Sequence, residues 1–383
     1  MRAMIMFALG VVCSVVYAQS LPKGNAPADV LSASPELRSA DHLPERGVEM
    51  TWMELSDPNL DMRGLPWYAE NAPDLWRLPK RAQATTPQGA WNRALVPSGG
   101  RIRLSCNTSC LSIRARMVAE RNRPCFFDAY VGTELAGSAV ISGTETVDLT
   151  LIEKTDHSMK DITIYLPNTH HVRVDAIGVA ADTQFRSPSS FALKRPLVCY
   201  GSSVLQGTGA SRGAMTYPAL LARQLNLDYV NLGFGGSGRA EPQVVSLVSE
   251  IDACGFLFDL GKSYGAQPIE VYAKMLDMIR ASHPEVPIIV VTPIYSQRER
   301  TEPEYLDKSE KLRVLMRQAA QERIQAGDQR TFVVEGLDLC GEADWDAFHD
   351  PTHPNDEGNR RMAERLAPLV EKVVLGRTSS AVR

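Results

Sequence analysis

The sequence lacks the charge pattern of a nucleic-acid-binding protein. Its 383 residues include 41 Lys and Arg against 45 Asp and Glu, and the two signs are interspersed along the chain. Binding to nucleic acid requires basic side chains clustered on one face or along one helix. A nucleic-acid partner is therefore not expected.

Long hydrophobic runs are also missing beyond the first residues. About 20 consecutive apolar residues are needed to cross a bilayer, and the apolar stretch from Ile5 to Val16 is too short. Preceded by Arg2 and followed by Val16-Tyr17-Ala18, it has the pattern of a secretory signal peptide over residues 1–18. A retained anchor is the alternative. We expect an exported protein, periplasmic or extracellular, with no membrane span after cleavage and a loosely ordered polar segment over residues 19–50.

Cysteine is scarce, and its spacing does not predict a metal site. Removing Cys13 with the signal peptide leaves six cysteines, which allow 15 disulfide connectivities in an oxidising compartment. Cys106, Cys110 and Cys125 lie close enough in sequence for one local bridge. No second close pair of Cys or His accompanies them, as a zinc site requires, and we expect neither a metal nor an organic cofactor.

The two halves of the chain have different hydrophobic patterns. Over residues 51–190, short alternating runs are separated by turn residues, which predicts an antiparallel β-sandwich. Over residues 191–376, apolar runs alternate with helical patterns, which predicts an α/β fold with a parallel sheet covered on both faces.

Residues with the chemistry of a serine hydrolase occur in the second half. Ser203 follows the apolar run that ends at Tyr200, and Asp350-Pro351-Thr352-His353 lies 150 residues further on. A serine hydroxyl becomes a useful nucleophile when an imidazole takes its proton and a carboxylate orients that imidazole. His349 and His353 are spaced as metal ligands on one helix face, but the prolines between and after them argue against a helix.

This order of Ser, Asp and His resembles that of the SGNH (GDSL-like) hydrolases. The usual Gly-Asp-Ser is Gly201-Ser202-Ser203 here, and Gly236 lies where the family has its oxyanion-hole glycine. The resemblance implies a three-layer, flavodoxin-like hydrolase domain. It also implies Ser203 as the nucleophile, His353 as the base and Asp350 as the orienting acid.

The segment of this chain that corresponds to the family's asparagine block departs most from the usual sequence. After the run that ends at Phe258, the segment Asp259 to Tyr264 contains no asparagine, and Ser263 occupies the corresponding position. The resemblance therefore implies an oxyanion hole formed by Ser203, Gly236 and Ser263. Phe126 to Tyr130 resembles the Gly-x-Asp-Leu-Tyr signature of the β-domain that precedes some members.

Arg212 and Tyr217 follow the nucleophile, and they either line the substrate pocket or pack the first helix. The resemblance implies a secreted serine esterase that hydrolyses O-acyl, and chiefly O-acetyl, esters on carbohydrate. Its substrate would be a small-molecule or glycan ester. The alternatives are a lipase or thioesterase of the same type, and a glycan-binding protein on a degenerate hydrolase fold. The sequence leaves the oligomeric state open.

Overall fold

A computed structural model describes residues 48–377, and two antiparallel sheets form its N-terminal part. One has four strands in the order β1-β9-β4-β7. The other has the order β10-β3-β8-β5-β6, with β2 paired to β3. The strands are β1 (Met50–Glu54), β2 (Asp61–Arg63), β3 (Arg101–Cys106), β4 (Leu111–Met117), β5 (Cys125–Val131), β6 (Glu134–Ile141), β7 (Val147–Ile152), β8 (Lys160–Tyr165), β9 (Val172–Ala180) and β10 (Phe185–Arg186).

The two sheets enclose a common hydrophobic core. Ile102 and Leu104 of β3 face this core together with Ile113 of β4 and Ile177 of β9, all without solvent exposure. These residues alternate along their strands with others that point away from this core, as the pleat of a β-strand requires. This architecture confirms the expected β-sandwich.

A five-stranded parallel sheet forms the C-terminal part, in the order β12-β11-β13-β14-β15. Its strands are β11 (Leu197–Gly201), β12 (Tyr229–Gly233), β13 (Gly255–Asp259), β14 (Ile288–Val291) and β15 (Thr331–Val334). The helices are α1 (Tyr68–Asn71), α2 (Gln88–Ala94), α3 (Ser203–Gln206), α4 (Tyr217–Leu225), α5 (Pro242–Ser249), α6 (Ile269–Ser282), α7 (Arg298–Thr301), α8 (Pro303–Gln325), α9 (Gly336–Leu339) and α10 (Asp356–Val373).

Helices cover this sheet on both faces. Alternate residues of β11 face opposite cores: Val198 and Tyr200 pack with α5, α6 and α8, while Leu197 and Cys199 pack with α4 and α10. All five residues of β11 are buried, which explains its nearly unbroken apolar sequence. The expected three-layer, flavodoxin-like fold is confirmed.

The segment between β2 and β3 packs against the parallel sheet. It contains α1, a 3₁₀ turn over Lys80–Ala82 and α2. Leu78 and Trp91 of this segment are buried in the same core as Phe234 and Val244. The region predicted as an accessory domain therefore completes one hydrophobic core of the hydrolase fold.

The remaining predictions concern the N-terminal segments, the domain boundary, membrane spans and the cysteines. The signal peptide and most of the 19–50 segment lie outside the described residues, and the division at residue 190 stays a prediction. None of the helices within residues 48–377 has the length and apolar character needed to span a membrane. The six cysteines of that range are free and buried, and burial raises the pKa of Cys254 and of Cys340 to about 12.

Candidate active site

Ser203 begins α3 immediately after β11, so it lies at the carboxyl end of the sheet's central strands, where α/β proteins bind ligands. Ser202 caps this short helix by accepting a hydrogen bond from the Val204 N–H, and its own N–H donates to Asp259 O at 2.7 Å. A Cβ at Gly201 would lie 1.9 Å from that same carbonyl oxygen. Only glycine allows β11 and β13 to approach this closely beside the nucleophile.

His353 joins Ser203 to Asp350. Its Nε2 lies 2.8 Å from Ser203 Oγ, and its Nδ1 lies 2.8 Å from Asp350 Oδ2. Asp350 Oδ1 also accepts the backbone N–H groups of Thr352 and His353, so the carboxylate fixes the turn that carries the imidazole. The three side chains are hydrogen-bonded in the order that a nucleophile–base–acid relay would require.

The environment of Asp350 keeps its carboxylate ionised. Partial burial alone would raise the pKa of this group, but the hydrogen bonds from the His353 imidazole and from two backbone N–H groups lower the pKa overall. An ionised acid at this position favours the His353 tautomer that has its proton on Nδ1. That tautomer leaves Nε2 free to accept a proton from Ser203.

Backbone N–H groups lie beside the nucleophile. Ser203 is the first residue of α3, and its N–H therefore has no acceptor within the helix. Gly236 follows β12 with φ +72°, a left-handed conformation that a residue with a Cβ adopts only with strain. Its N–H donates to Ser263 Oγ at 3.2 Å, so the structure brings together two of the three residues predicted to form an oxyanion hole.

Two arginines from the N-terminal half donate to backbone carbonyls at the end of β12 and in the glycine loop, residues 233–238, that follows. Fully buried Arg77 donates to the carbonyl oxygens of Asn231 and Gly233 at 2.9 and 2.7 Å. Arg93 Nε donates to Gly235 O at 3.1 Å. Burial lowers the pKa of Arg77 to about 9, which leaves it charged at neutral pH. No sequence signal singles out these arginines, because each lies more than 130 residues from the loop that it contacts.

Asp259 and Lys262 add charge to the floor of the site. Burial raises the pKa of Asp259 to about 6, although the Tyr217 hydroxyl donates to this carboxylate at 3.0 Å. Burial lowers the pKa of Lys262 to about 8, against the attraction of Glu299 at 2.8 Å. Both groups sit in the peptide segment that carries Ser263.

Of the two roles open to Arg212 and Tyr217, the geometry favours packing over substrate contact, because neither residue lines the cleft. Tyr217 has no solvent exposure, and its ring belongs to the core between the sheet and α4. Arg212 reaches across to the β-sandwich, where it contacts Ser138 at 3.1 Å and Asp128 at 3.5 Å. Both residues follow the nucleophile in sequence, but their side chains turn toward packing surfaces and away from the cleft.

The relay opens into a cleft of about 480 Å³. Of its described lining residues, Val204, Pro293 and Ile294 are the large apolar ones, and most others are polar, charged or glycine. A nucleophile, a base and convergent N–H donors in one cleft can perform acyl transfer. Within residues 48–377 no cluster of three or more His, Cys, Asp or Glu side chains is arranged to hold a metal ion.

Two family models match the chain. Residues 194–371 match the GDSL-like lipase/acylhydrolase family, and residues 50–185 match the N-terminus of SGNH-hydrolase-type esterases. A search of the curated proteins finds no match. The two matched ranges coincide with the parallel sheet and with the β-sandwich, respectively.

Solved structures with similar folds include a protein from Bacteroides ovatus described as a GDSL-like lipase, with TM-score 0.72 and 22% identity over 85% of this chain and 98% of that one. The salicylyl-acyltransferase SsfX3 of a tetracycline biosynthetic pathway has TM-score 0.74 and 24% identity over 87% and 99%. The acetyl xylan esterase Est2A of the rumen bacterium Butyrivibrio proteoclasticus has TM-score 0.59 and 13% identity over 84% and 98%. At these identities the similarity concerns the fold.

Proposed function

Through residues 194–371 the chain belongs to the family of GDSL-like lipases and acylhydrolases, enzymes that act on ester bonds, and we propose that it is an exported serine esterase. Its proposed reaction is the removal of O-acetyl groups from carbohydrate. The observation that carries the proposal is the relay of Ser203, His353 and Asp350, with 2.8 Å at each of its two links. Export rests on the signal-peptide pattern of residues 1–18.

The proposed reaction has two steps. Ser203 Oγ attacks the ester carbonyl carbon while His353 Nε2 takes its proton, and the resulting oxyanion accepts hydrogen bonds from the N–H groups of Ser203 and Gly236. When the intermediate collapses, His353 gives the proton to the leaving alcohol. Water then attacks the acyl-enzyme with His353 again as base, and Ser203 is released. Asp350 orients His353 throughout.

The lining of the cleft supports a short acyl group. A lipase or thioesterase acting on long chains needs a continuous apolar channel, because each buried CH₂ contributes roughly 0.8 kcal/mol. The three large apolar lining residues form no such channel. The carbohydrate part is an analogy to solved structures such as the acetyl xylan esterase, since the fold alone does not determine the substrate.

Hydrolysis of 4-nitrophenyl acetate and of acetylated xylan by the mature protein tests the proposal. We expect turnover of both, with a decrease of about 10⁴-fold or more in kcat for Ser203→Ala, because the remaining groups cannot supply a nucleophile. Ser246→Ala is the matched control, since Ser246 is exposed on α5, outside the cleft. Its kcat should equal that of the wild type.

Two further measurements separate the alternatives. In a series from 4-nitrophenyl acetate to the octanoate, kcat/KM should fall with chain length, whereas a rise would support the lipase or thioesterase. A fluorophosphonate should label the wild type and leave Ser203→Ala unlabelled. A wild type that neither turns over the esters nor reacts with the probe would favour the glycan-binding protein.

A further inference from the structure

Among the described residues, three cations line the cleft without a carboxylate partner. Arg93, Arg239 and Lys308 come from α2, from the loop after β12 and from α8. Arg93 Nε and Arg239 Nε each donate to a carbonyl of the glycine loop at 3.1 Å. Within residues 48–377, none of the three side chains lies within ion-pair distance of an acid.

The nearby acids do not neutralise this charge. Of the described residues, Asp259 is the one carboxylate that lines the cleft, and it is buried beneath the site with its Oδ2 bonded to Tyr217. Glu299 pairs with Lys262, but it pairs equally closely, at 2.8 Å, with Arg313. Two cations therefore share that single acid, and the cleft has an excess of positive charge.

This excess contrasts with the chain as a whole. The formal net charge is −4, and other arginines of the described region are paired with acids at the surface, as Arg298 is with Glu302 and Arg360 with Glu357. A cleft whose walls carry one sign of charge raises the local concentration of ligands of the opposite sign. The cations concentrate where a substrate of the proposed esterase would bind.

We propose that this cationic cleft selects esters that carry a carboxylate close to the acylated hydroxyl, as an O-acetylated uronic acid residue does. The inference rests on the proposed function and specifies its substrate class. Arg93 and Arg239 use Nε to hold the loop, and their Nη groups have no protein partner within the described residues. These groups are the ones that bind carboxylates in a forked geometry. Lys308 adds a point charge from α8.

Matched substrate pairs test the inference. The first pair is O-acetylated polygalacturonate and the same polymer with its carboxyl groups methyl-esterified. The second is 2-acetoxybenzoate and its methyl ester. The two members of each pair differ in the charge of the carboxylate. Comparison of the two pairs shows whether the recognised carboxylate belongs to an acidic glycan or to a small aromatic acid.

We expect the wild type to prefer the anionic member of the polymer pair in kcat/KM by roughly tenfold at low ionic strength, because each exposed charge pair contributes a small factor. The preference should decrease to about twofold in 0.5 M NaCl, since salt screens such pairs. A preference in one pair alone supports carboxylate recognition and identifies its source, and the same preference in both pairs shows that the carboxylate is recognised on either scaffold. A ratio of one or below in both pairs overturns the inference.

Charge-neutralising variants assign the effect to the cleft. Lys308→Gln should reduce the preference about twofold, Lys308→Gln/Arg239→Gln should leave only about a twofold preference, which Arg93 supplies, and Lys308→Arg should retain it. Lys372→Gln is the matched control, because Lys372 is an exposed lysine of α10 that lines no part of the cleft. A preference that stays near tenfold in the double variant would overturn the assignment.

Hydrolysis of uncharged 4-nitrophenyl acetate separates this inference from the proposed function. If wild-type turnover of this ester is detected and disappears in Ser203→Ala, the esterase stands whatever the substrate pairs show. An absent anionic preference would then remove only the carboxylate inference. If neither 4-nitrophenyl acetate nor any member of the pairs is hydrolysed, both proposals are wrong.

Discussion

Among single residues, Ser263 has the least usual proposed role, because it stands where the family has an asparagine. Its hydroxyl accepts the Gly236 N–H at 3.2 Å, and its own proton is free to donate into the cleft. An N–H that donates to a hydroxyl polarises it, so the O–H becomes a better donor toward a developing oxyanion. In the proposed mechanism the Gly236 N–H is shared between Ser263 Oγ and the oxyanion, as a bifurcated donor.

Substitutions at Ser263 follow from this contact. We expect Ser263→Ala to lower kcat on 4-nitrophenyl acetate by about 10- to 100-fold, with KM nearly unchanged, because one donor to the oxyanion is lost. Ser263→Asn should raise kcat severalfold, since an amide reaches further than a hydroxyl. Steady-state kinetics of both variants check this, and an unchanged kcat in Ser263→Ala would show that the hydroxyl makes no contact in the transition state.

The sequence identified the candidate relay because its signals are local. Asp350 and His353 lie three residues apart in one turn, and Ser203 directly follows a buried strand. Arg77 and Arg93 carry no comparable signal, since an arginine that binds distant carbonyls looks in sequence like any surface arginine. The sequence left open whether Arg212 and Tyr217 line the pocket or pack, because closeness to Ser203 along the chain does not fix the direction of a side chain.

At the scale of elements, the hydrolase helices and strands were the most predictable part. The alternation of apolar runs with helical patterns over residues 191–376 predicted the parallel sheet and the helices that cover it, which the structure has. The short helices α1, α2 and α3 were not predicted. A helix of four to seven residues contains too few turns to show a periodic pattern, and its position depends on tertiary contacts.

Arg77 joins the segment between β2 and β3, which contains α1 and α2, to the end of β12 beside the site. Its guanidinium donates to Val96 O and Arg93 O on its own segment and to Asn231 O and Gly233 O at the end of β12. Three of these four hydrogen bonds are buried, and the one to Arg93 O is partly buried. Arg77 is therefore a positioning residue for the loop that carries Gly236.

Replacing Arg77 tests this positioning role. We expect Arg77→Met to lower the free energy of unfolding by about 3 kcal/mol or more, because buried carbonyls lose their partners. The kcat on 4-nitrophenyl acetate should fall about tenfold as the Gly236 N–H moves, since small displacements of this kind are costly. Urea titration and steady-state kinetics measure the two effects.

Two comparison variants complete that experiment. Arg77→Lys should restore part of both losses, since an ammonium can still donate to some of the carbonyls. Arg195→Met removes an exposed arginine paired with Asp252, and its stability should change by less than about 1 kcal/mol. An Arg77→Met protein as stable and active as Arg195→Met would contradict the positioning role.

In the molecule as a whole, the N-terminal part and the parallel sheet are joined by a common hydrophobic core and by hydrogen bonds. Leu78 and Trp91 complete the core that also contains Phe234, and Ser98 Oγ donates to Gln206 O at 2.8 Å. Asn168, from the loop after β8, donates to Gly207 O at 2.6 Å at the end of the nucleophile helix. The change in hydrophobic pattern near residue 190 could not reveal this, because a change of pattern marks a change of fold type and says nothing of contacts.

The shared core predicts that the hydrolase half does not fold alone. A fragment of residues 191–377 would expose the surface that Leu78 and Trp91 cover, at a cost of about 1.5–3 kcal/mol for each such side chain. It would also lose the hydrogen bonds from Ser98, Asn168 and Arg77. Together these losses approach the whole stability of an ordinary domain, about 5–15 kcal/mol. We therefore expect a fragment without a cooperative urea transition and without hydrolysis of 4-nitrophenyl acetate, while the chain beginning at Gln19 has both. A fragment that unfolds cooperatively and turns over the ester would mean that the N-terminal contacts are dispensable for the site.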